Sequence, residues 1–307
     1  MLRISVLGSG SGGNSAVVFT DSTRLLIDAG LSAKQLNLRL EKVGVDPQSL
    51  DGVLITHEHS DHIGGLDVFC RKVQVPLYSN AATREIMVTG PMKQPKTWRI
   101  VACGGRFMIG DIEVKTFPVA HDATEPMGFT LRDKESAIGV LSDVGYVTNI
   151  MRDHMRSMNT VFIEANYDDM LLQNDTKRPW SIKQRISSRH GHLSNEQTAA
   201  LLADIVDDTL DHVILGHLSQ DCNEPQLAID AMKAAMSSKG HSKVHVECAS
   251  QRDPTECLPA VRGWSSREEK EPVVATAAEQ IIEERVQETA LAYTTVSLGS
   301  YKQAELF

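Results

Sequence analysis

Three histidines and an aspartate, His57, His59, Asp61 and His62, fall within one short stretch of GVLITHEHSDHIGG, directly after an apolar run. An apolar run of this kind reads as a buried strand, and charged groups cannot follow it inside unpaired, so the chain has to surface and turn where the cluster begins. Alternate side chains of an extended segment share a face, which lets His57 and His59 address one point while Asp61 and His62, at the turn into GLDVFCRKV, address another. Neutral imidazole and carboxylate are ligand types for zinc, manganese or iron, and an open coordination position makes such a site catalytic. The plain alternative is a solvated loop of charged residues.

Three later residues obey the same rule of standing at the end of an apolar strand: His121 closes VKTFPVAH, Asp143 closes AIGVLSD and His217 closes HVILGH. Taken singly, each also reads as a hydrogen-bonded buried or loop residue. Around them short β-rich runs (RISVLGSG, NSAVVFT, RLLIDAG, VPLYS, RFMIGDIEVKTFPV, GFTLRD, VFIEAN, KVHVEC) alternate with helical spacing at residues 33–43, in EQTAALLADIVDD and in EPQLAIDAMKAAMSSKG. A compact domain over residues 1–250 follows, and the polar, Pro-containing shift after it marks residues 251–307 as an extension with one possible helix, TAAEQIIEERVQETALA.

Composition narrows the function. The chain has 307 residues, 41% hydrophobic and 23% charged, as in ordinary globular proteins. A formal net charge of −9 argues against general adhesion to nucleic acid, so any such surface has to be local. The start MLRISVLGSGSGG lacks the charged and apolar regions of a secretory signal, no apolar run approaches the roughly 20 residues of a membrane span, and the five cysteines are widely spaced. A cytoplasmic protein with no membrane partner is expected.

In this order, HxHxDH followed by a lone His, a lone Asp and a last His, the residues resemble the metallo-β-lactamase-fold hydrolases over about residues 1–250. The resemblance implies an α/β (α+β) fold, an αββα four-layer sandwich with two divalent metal ions at one edge. It assigns His57, His59 and His121 to one ion, Asp61, His62 and His217 to the other, and Asp143 as the bridge. Asp28, in LLIDAG, matches the early strand-end aspartate that orients ligands rather than binding the ion. Asp61 is then placed to orient or deprotonate the attacking water. Zinc and manganese are both compatible with this set.

The fold does not choose a substrate. GSGSGGNS, FIEANYDDMLL, RHGHLSNEQTAALL and LGHLSQDCNEPQLA resemble the YycJ/WalJ-like exonuclease subgroup, a neighbour of RNase Z. That likeness makes His192 a proton donor to the leaving oxygen, with Glu164 fixing its orientation, and puts Ser194 beside the scissile phosphate at a helix N-terminus. Alternatively Ser194 is only a helix cap and His192 a loop residue. Lys177, Arg178, Lys183, Arg185 and Arg189 surround Trp180 in an otherwise acidic chain; they form a backbone-phosphate surface or a solvated face, with Trp180 a base platform or a packing anchor. Ser11 and Asn14 in the glycine-rich loop either contact substrate or belong to a tight hairpin.

The last residues, Gln303 to Phe307, resemble the bacterial sliding-clamp pentapeptide QxxLF, so Gln303, Leu306 and Phe307 are candidate contacts to a clamp, or else a frayed apolar end. These readings lead to a metal-dependent phosphodiesterase, a DNA exonuclease of replication or repair, with nucleic acid as partner. The alternatives are an RNA-processing nuclease, a small-molecule hydrolase such as a lactamase or thioesterase, and a non-catalytic clamp-tethered protein.

Overall fold

The computed structural model describes residues 1–92 and 96–260. Two seven-stranded sheets form the centre. The first holds β1 (Arg3–Gly8), β2 (Ser15–Phe19), β3 (Arg24–Ile27), β4 (Gly52–Leu54), β5 (Leu77–Ser79) and β6 (Trp98–Ile100) in sequential order. The second holds β7 (Arg106–Ile109), β8 (Ile112–Pro118), β9 (Met127–Arg132), β10 (Ala137–Leu141), β11 (Thr160–Glu164), β12 (His212–Gly216) and β13 (His245–Cys248). A short β14 (Leu258–Pro259) then returns to pair with β1.

Helices α1 (Ala33–Lys42), α2 (Ser60–Ile63), α3 (Leu66–Phe69) and α4 (Ala81–Thr89) lie in the part of the chain that builds the first sheet. Helices α5 (Asn149–Met155), α6 (Asp169–Asn174), α7 (Trp180–Ile186), α8 (Asn195–Ile205) and α9 (Pro225–Ser237) lie in the part that builds the second. Strand alternation produces three cores. Leu25 and Ile27 of β3 and Ile214 of β12 point between the sheets, where they join Ile4, Val18, Phe129 and Ile138. Leu26 points outward onto Leu36 and Leu40 of α1 and Phe69 of α3. Val213 and Leu215 point outward onto Leu201 and Leu202 of α8 and Met232 of α9. Helix, sheet, sheet and helix are therefore four layers separated by apolar seams, as the resemblance implies. Strands buried on both faces explain why the sequence shows continuous apolar runs rather than polar alternation.

Three features differ from the sequence reading. RFMIGDIEVKTFPV is a hairpin rather than one strand: Gly110 takes a φ of 55°, which reverses the chain between β7 and β8. Packing continues past the expected end at residue 250, since Thr255 bonds β1 through both Val6 N–H and Ser5 Oγ, and Ala260 N–H donates to Leu2. The segments Ala81–Thr89 and Trp98–Ile100, to which the sequence reading assigns no element, fold as α4 and β6. The proposed tail helix and Gln303, Leu306 and Phe307 lie outside the described residues. No described helix is long and apolar enough to cross a membrane.

Candidate metal centre

All seven proposed ligands gather at one rim. Strands β3 and β4 run parallel, as do β10, β11 and β12, so the residues just past their ends emerge on the same side of each sheet. His57 follows β4, Asp143 follows β10, His217 follows β12, and His121 follows β8. The short α2 supplies Asp61 and His62 from within one turn. Asp28, Asp143 and His217 take φ values of 56°, 57° and 54°, the left-handed region that non-glycine residues rarely occupy, and this strain aims three side chains into the centre. Gly30 completes the frame: a Cβ there would lie 1.7 Å from the Asp61 carbonyl oxygen, so only glycine lets the end of β3 approach α2.

Three sets of side chains each bring their donor atoms within 4.8 Å of one another: His57, His59 and His121; Asp61, His62 and His217; and His57, His62 and Asp143. A fourth set joins Asp143 to Glu164, His192 and His217. The Asp143 carboxylate lies between the first two, with Oδ2 2.9 Å from His62 Nε2 and Oδ1 3.8 Å from His121 Nε2. Glu164 is a bracket rather than a ligand, because Oε2 accepts the Val144 N–H at 2.7 Å and Oε1 faces both His192 (2.6 Å) and His217 (3.2 Å).

The second nitrogens are already committed. His62 Nδ1 donates to Asp28 at 2.7 Å, His121 Nδ1 to the Gly191 carbonyl at 3.0 Å, and His57 Nδ1 to Thr56 Oγ1 at 2.9 Å. Thr56 Oγ1 in turn donates to Asp28 at 2.8 Å. The inward Nε2 atoms are thereby left as electron-pair donors. His57 Nε2 is buried without any hydrogen-bond partner, an arrangement a structure tolerates where a cation belongs. Burial, reinforced by His62, holds the His57 imidazole well below its usual value, in the neutral form that ligation needs. Burial would also lower His217, but Asp143 and Asp61 override it and push it up to about 10. Burial opposes ionisation of Asp143, yet His217 and His62 hold it well below the carboxylate range. The residues present fit a pair of divalent cations.

A cavity of about 290 Å³ opens onto this centre, lined by His59, Asp61, His121, Asp143, His192 and His217 together with Ser11, Asp122 and the α7 residues Ile182, Arg185 and Ile186. Of the expected substrate contacts, Ser11 and Arg185 reach it. Asn14 stands behind it, with Nδ2 3.2 Å from Asp61 Oδ2, and its role is to hold that carboxylate. Ser194 is buried and caps α8 in a capping box with Gln197, so its hydroxyl is not offered to a phosphate. Lys183 is buried, its ammonium on the Gln173 carbonyl at 2.8 Å. The Arg189 guanidinium lies 4.3 Å from the Tyr146 ring centre, outside the cavity lining.

The basic run is thus largely self-satisfied. Lys177 pairs with Asp221, and Arg178 pairs with Asp175 and Asp221. Trp180 is 65% exposed, but at 3.6 residues per turn it stands about half a turn from the face carrying Ile182, Arg185 and Ile186. The base-platform geometry expected of it is absent from the cavity.

Sequence reasoning missed Thr56, Asn166, Gly191 and Asp122. Asn166 donates to the His217 carbonyl at 2.7 Å, and Asp122 accepts from Arg185 Nε at 2.9 Å. Thr56 and Asp122 each adjoin a ligand in sequence, which was the available signal. Gly191 acts through its backbone and left none.

Comparison with known proteins comes to the same centre from another side. The family described as the beta-lactamase superfamily domain matches residues 23–217, which include all seven rim residues. Exodeoxyribonuclease YycJ of Bacillus anthracis is 39% identical over 241 residues, 78% of this chain and 90% of that protein. Exodeoxyribonuclease WalJ of Streptococcus pneumoniae is 37% identical over 230 residues, 74% and 85% of the two chains. Among solved structures, the metallo-beta-lactamase fold protein YhfI from Bacillus subtilis superposes with a TM-score of 0.64 at 15% identity, covering 83% of this chain and 98% of that one.

Proposed function

We propose, from the premise that this chain belongs to the beta-lactamase superfamily and has the metallo-β-lactamase fold, that it is a two-metal phosphodiesterase that digests DNA from an end. The observation that carries this reading is His192, which lines the cavity with Nδ1 bonded to the buried Glu164 at 2.6 Å. Burial would lower its basicity, but the Glu164 carboxylate beside it raises it above the ordinary imidazole value, which favours the proton-bearing form. A thioester, which expels a thiolate that is stable near neutral pH, needs no such donor, whereas the alkoxide-like leaving oxygen of a nucleotide does.

The cations, zinc or manganese, would be held by His57, His59 and His121 and by Asp61, His62 and His217 with Asp143 shared, and when bound supply Lewis acidity toward a phosphoryl group. The chain's own groups do the rest. Asn14 holds the Asp61 carboxylate, which accepts a proton from the attacking water. Glu164 locks the His192 ring, whose Nε2 delivers the proton to the departing oxygen. Asp28 and Thr56 keep His57 and His62 in the tautomer that faces the centre.

A cavity of about 290 Å³ suits the end of a strand better than the middle of a duplex. A second reading, a hydrolase of small phosphodiesters, is favoured by one observation: the cations expected to hold a polymer backbone are paired or buried. Incubating metal-loaded protein with double-stranded DNA, single-stranded DNA, RNA, a dinucleotide and a chromogenic β-lactam separates these readings. DNA is expected to be shortened from its ends, with at least about a hundredfold loss in His59→Ala and Asp61→Ala. Turnover of the lactam alone overturns the phosphodiesterase reading, and turnover of the dinucleotide alone selects the second. We further propose that residues 1–260 form the catalytic domain and that Gln303, Leu306 and Phe307 bind a sliding clamp. Deleting residues 303–307 should then abolish clamp association while short-substrate turnover persists.

A further inference from the structure

We propose that Arg185, held over the cavity by Asp122, is the receptor for a second phosphate lying one nucleotide away from the bond being cleaved. This rests on the phosphodiesterase reading above and adds to it the group that senses a phosphorylated end. Arg185 is the one Lys or Arg among the described residues lining the cavity, whose other titratable groups are Asp61, Asp122 and Asp143 and the histidines of the centre. Its Nε and Nη2 both meet Asp122 Oδ2, at 2.9 and 2.5 Å, while Asp122 Oδ1 lies 3.3 Å from His121 Nε2 and 3.9 Å from His59 Nε2. A single carboxylate therefore spans the gap between the guanidinium and the first ligand set.

The side chain of Arg185 is 67% exposed, and among the described residues Nη1 makes no hydrogen bond. One edge of the guanidinium is fixed by Asp122, and Nη1 is left open on a side chain that lines the cavity. A planar, permanently charged fork matches two oxygens of a phosphate, and a carboxylate that pins one edge lowers the entropy lost when the other engages. Neighbouring basic residues do not substitute for it, since Lys183 is buried and Arg189 lies over Tyr146. Asp122 is accordingly a positioning residue and Arg185 the contact.

Binding to the metal-loaded protein tests this without turnover, with thymidine 3′,5′-bisphosphate compared against thymidine 3′- and 5′-monophosphates by calorimetry. One phosphate of any of these ligands can sit at the centre; only the bisphosphate offers a second. Wild type is expected to bind the bisphosphate about tenfold or more tightly than either monophosphate, in line with a charge-assisted hydrogen-bonded pair. Arg185→Ala should remove that increment, Arg185→Lys should restore part of it, and Asp122→Asn should reduce it. Arg189→Ala removes the same charge outside the cavity and should retain it. Equal affinities in wild type, an increment that survives Arg185→Ala, or equal losses in Arg185→Ala and Arg189→Ala each overturn the assignment. Failure of the protein to digest DNA sinks the polymer reading alone, because the bisphosphate comparison still decides Arg185.

Discussion

His57, His62, His121 and Asp61 are each held from behind by a different kind of partner: a threonine hydroxyl, an aspartate, a glycine carbonyl and an asparagine amide. The common result is a set of donor atoms with one orientation each, fixed before any ligand arrives, so little reorganisation is left for the binding step. Glu164 does the same for His192, and its effect has a definite sign. A raised His192 is protonated, and competent as an acid, at pH values below its folded pKa, and competence is lost as pH rises through that value. Glu164→Gln removes the charge that raises it, so the alkaline limb of the rate profile should move to lower pH. Turnover at neutral pH should fall about tenfold or more, with the acid limb unmoved. An alkaline limb that stays in place would show that His192 is not the titrating donor.

Helix α8 separates a structural from a chemical role at the scale of one element. Ser194 accepts from the Gln197 N–H while Gln197 accepts from the Ser194 N–H, so the first turn is closed on itself. Ser194→Ala should lower stability by about 1 kcal/mol in denaturant titration and leave the Michaelis constant for DNA as it was. A raised Michaelis constant with unchanged stability would return Ser194 to the substrate. Much of this architecture was legible in the sequence because it follows one rule, polar residue at the end of an apolar strand, and His57, His121, Asp143 and His217 all obey it. What was not legible depends on contacts that cross the chain. Asp122 looks like any loop acid until Arg185 arrives from α7, and a run such as KRPWSIKQR does not reveal that Asp221, far along the chain, neutralises its first two cations. The β7–β8 hairpin was hidden because only Gly110 and Asp111 separate two strands that read together as one β-rich run.

Across the whole molecule, acidic groups outnumber basic ones to give the net charge of −9, and most cations of the single basic run are occupied. DNA binding should therefore release few counterions, so log K against log salt should have a slope of about −1 to −3 rather than about −6 or steeper. A steep slope would mean that the paired cations open toward DNA. The left-handed residues at the rim carry a different message on this scale. Asp28, Asp143 and His217 each hold a backbone conformation that costs on the order of 1 kcal/mol, in a protein whose total margin is about 5–15 kcal/mol. Asp143 and His217 belong to the centre itself, and Asp28 orients His62 from behind it. In a lineage released from catalysis, glycine at 143 or 217 would relieve that strain, whereas at 28 it would also strand the Thr56 and His62 donors that Asp28 accepts. Glycine at 143 or 217 in a homologue would then mark a chain that has given up its metals while keeping its fold.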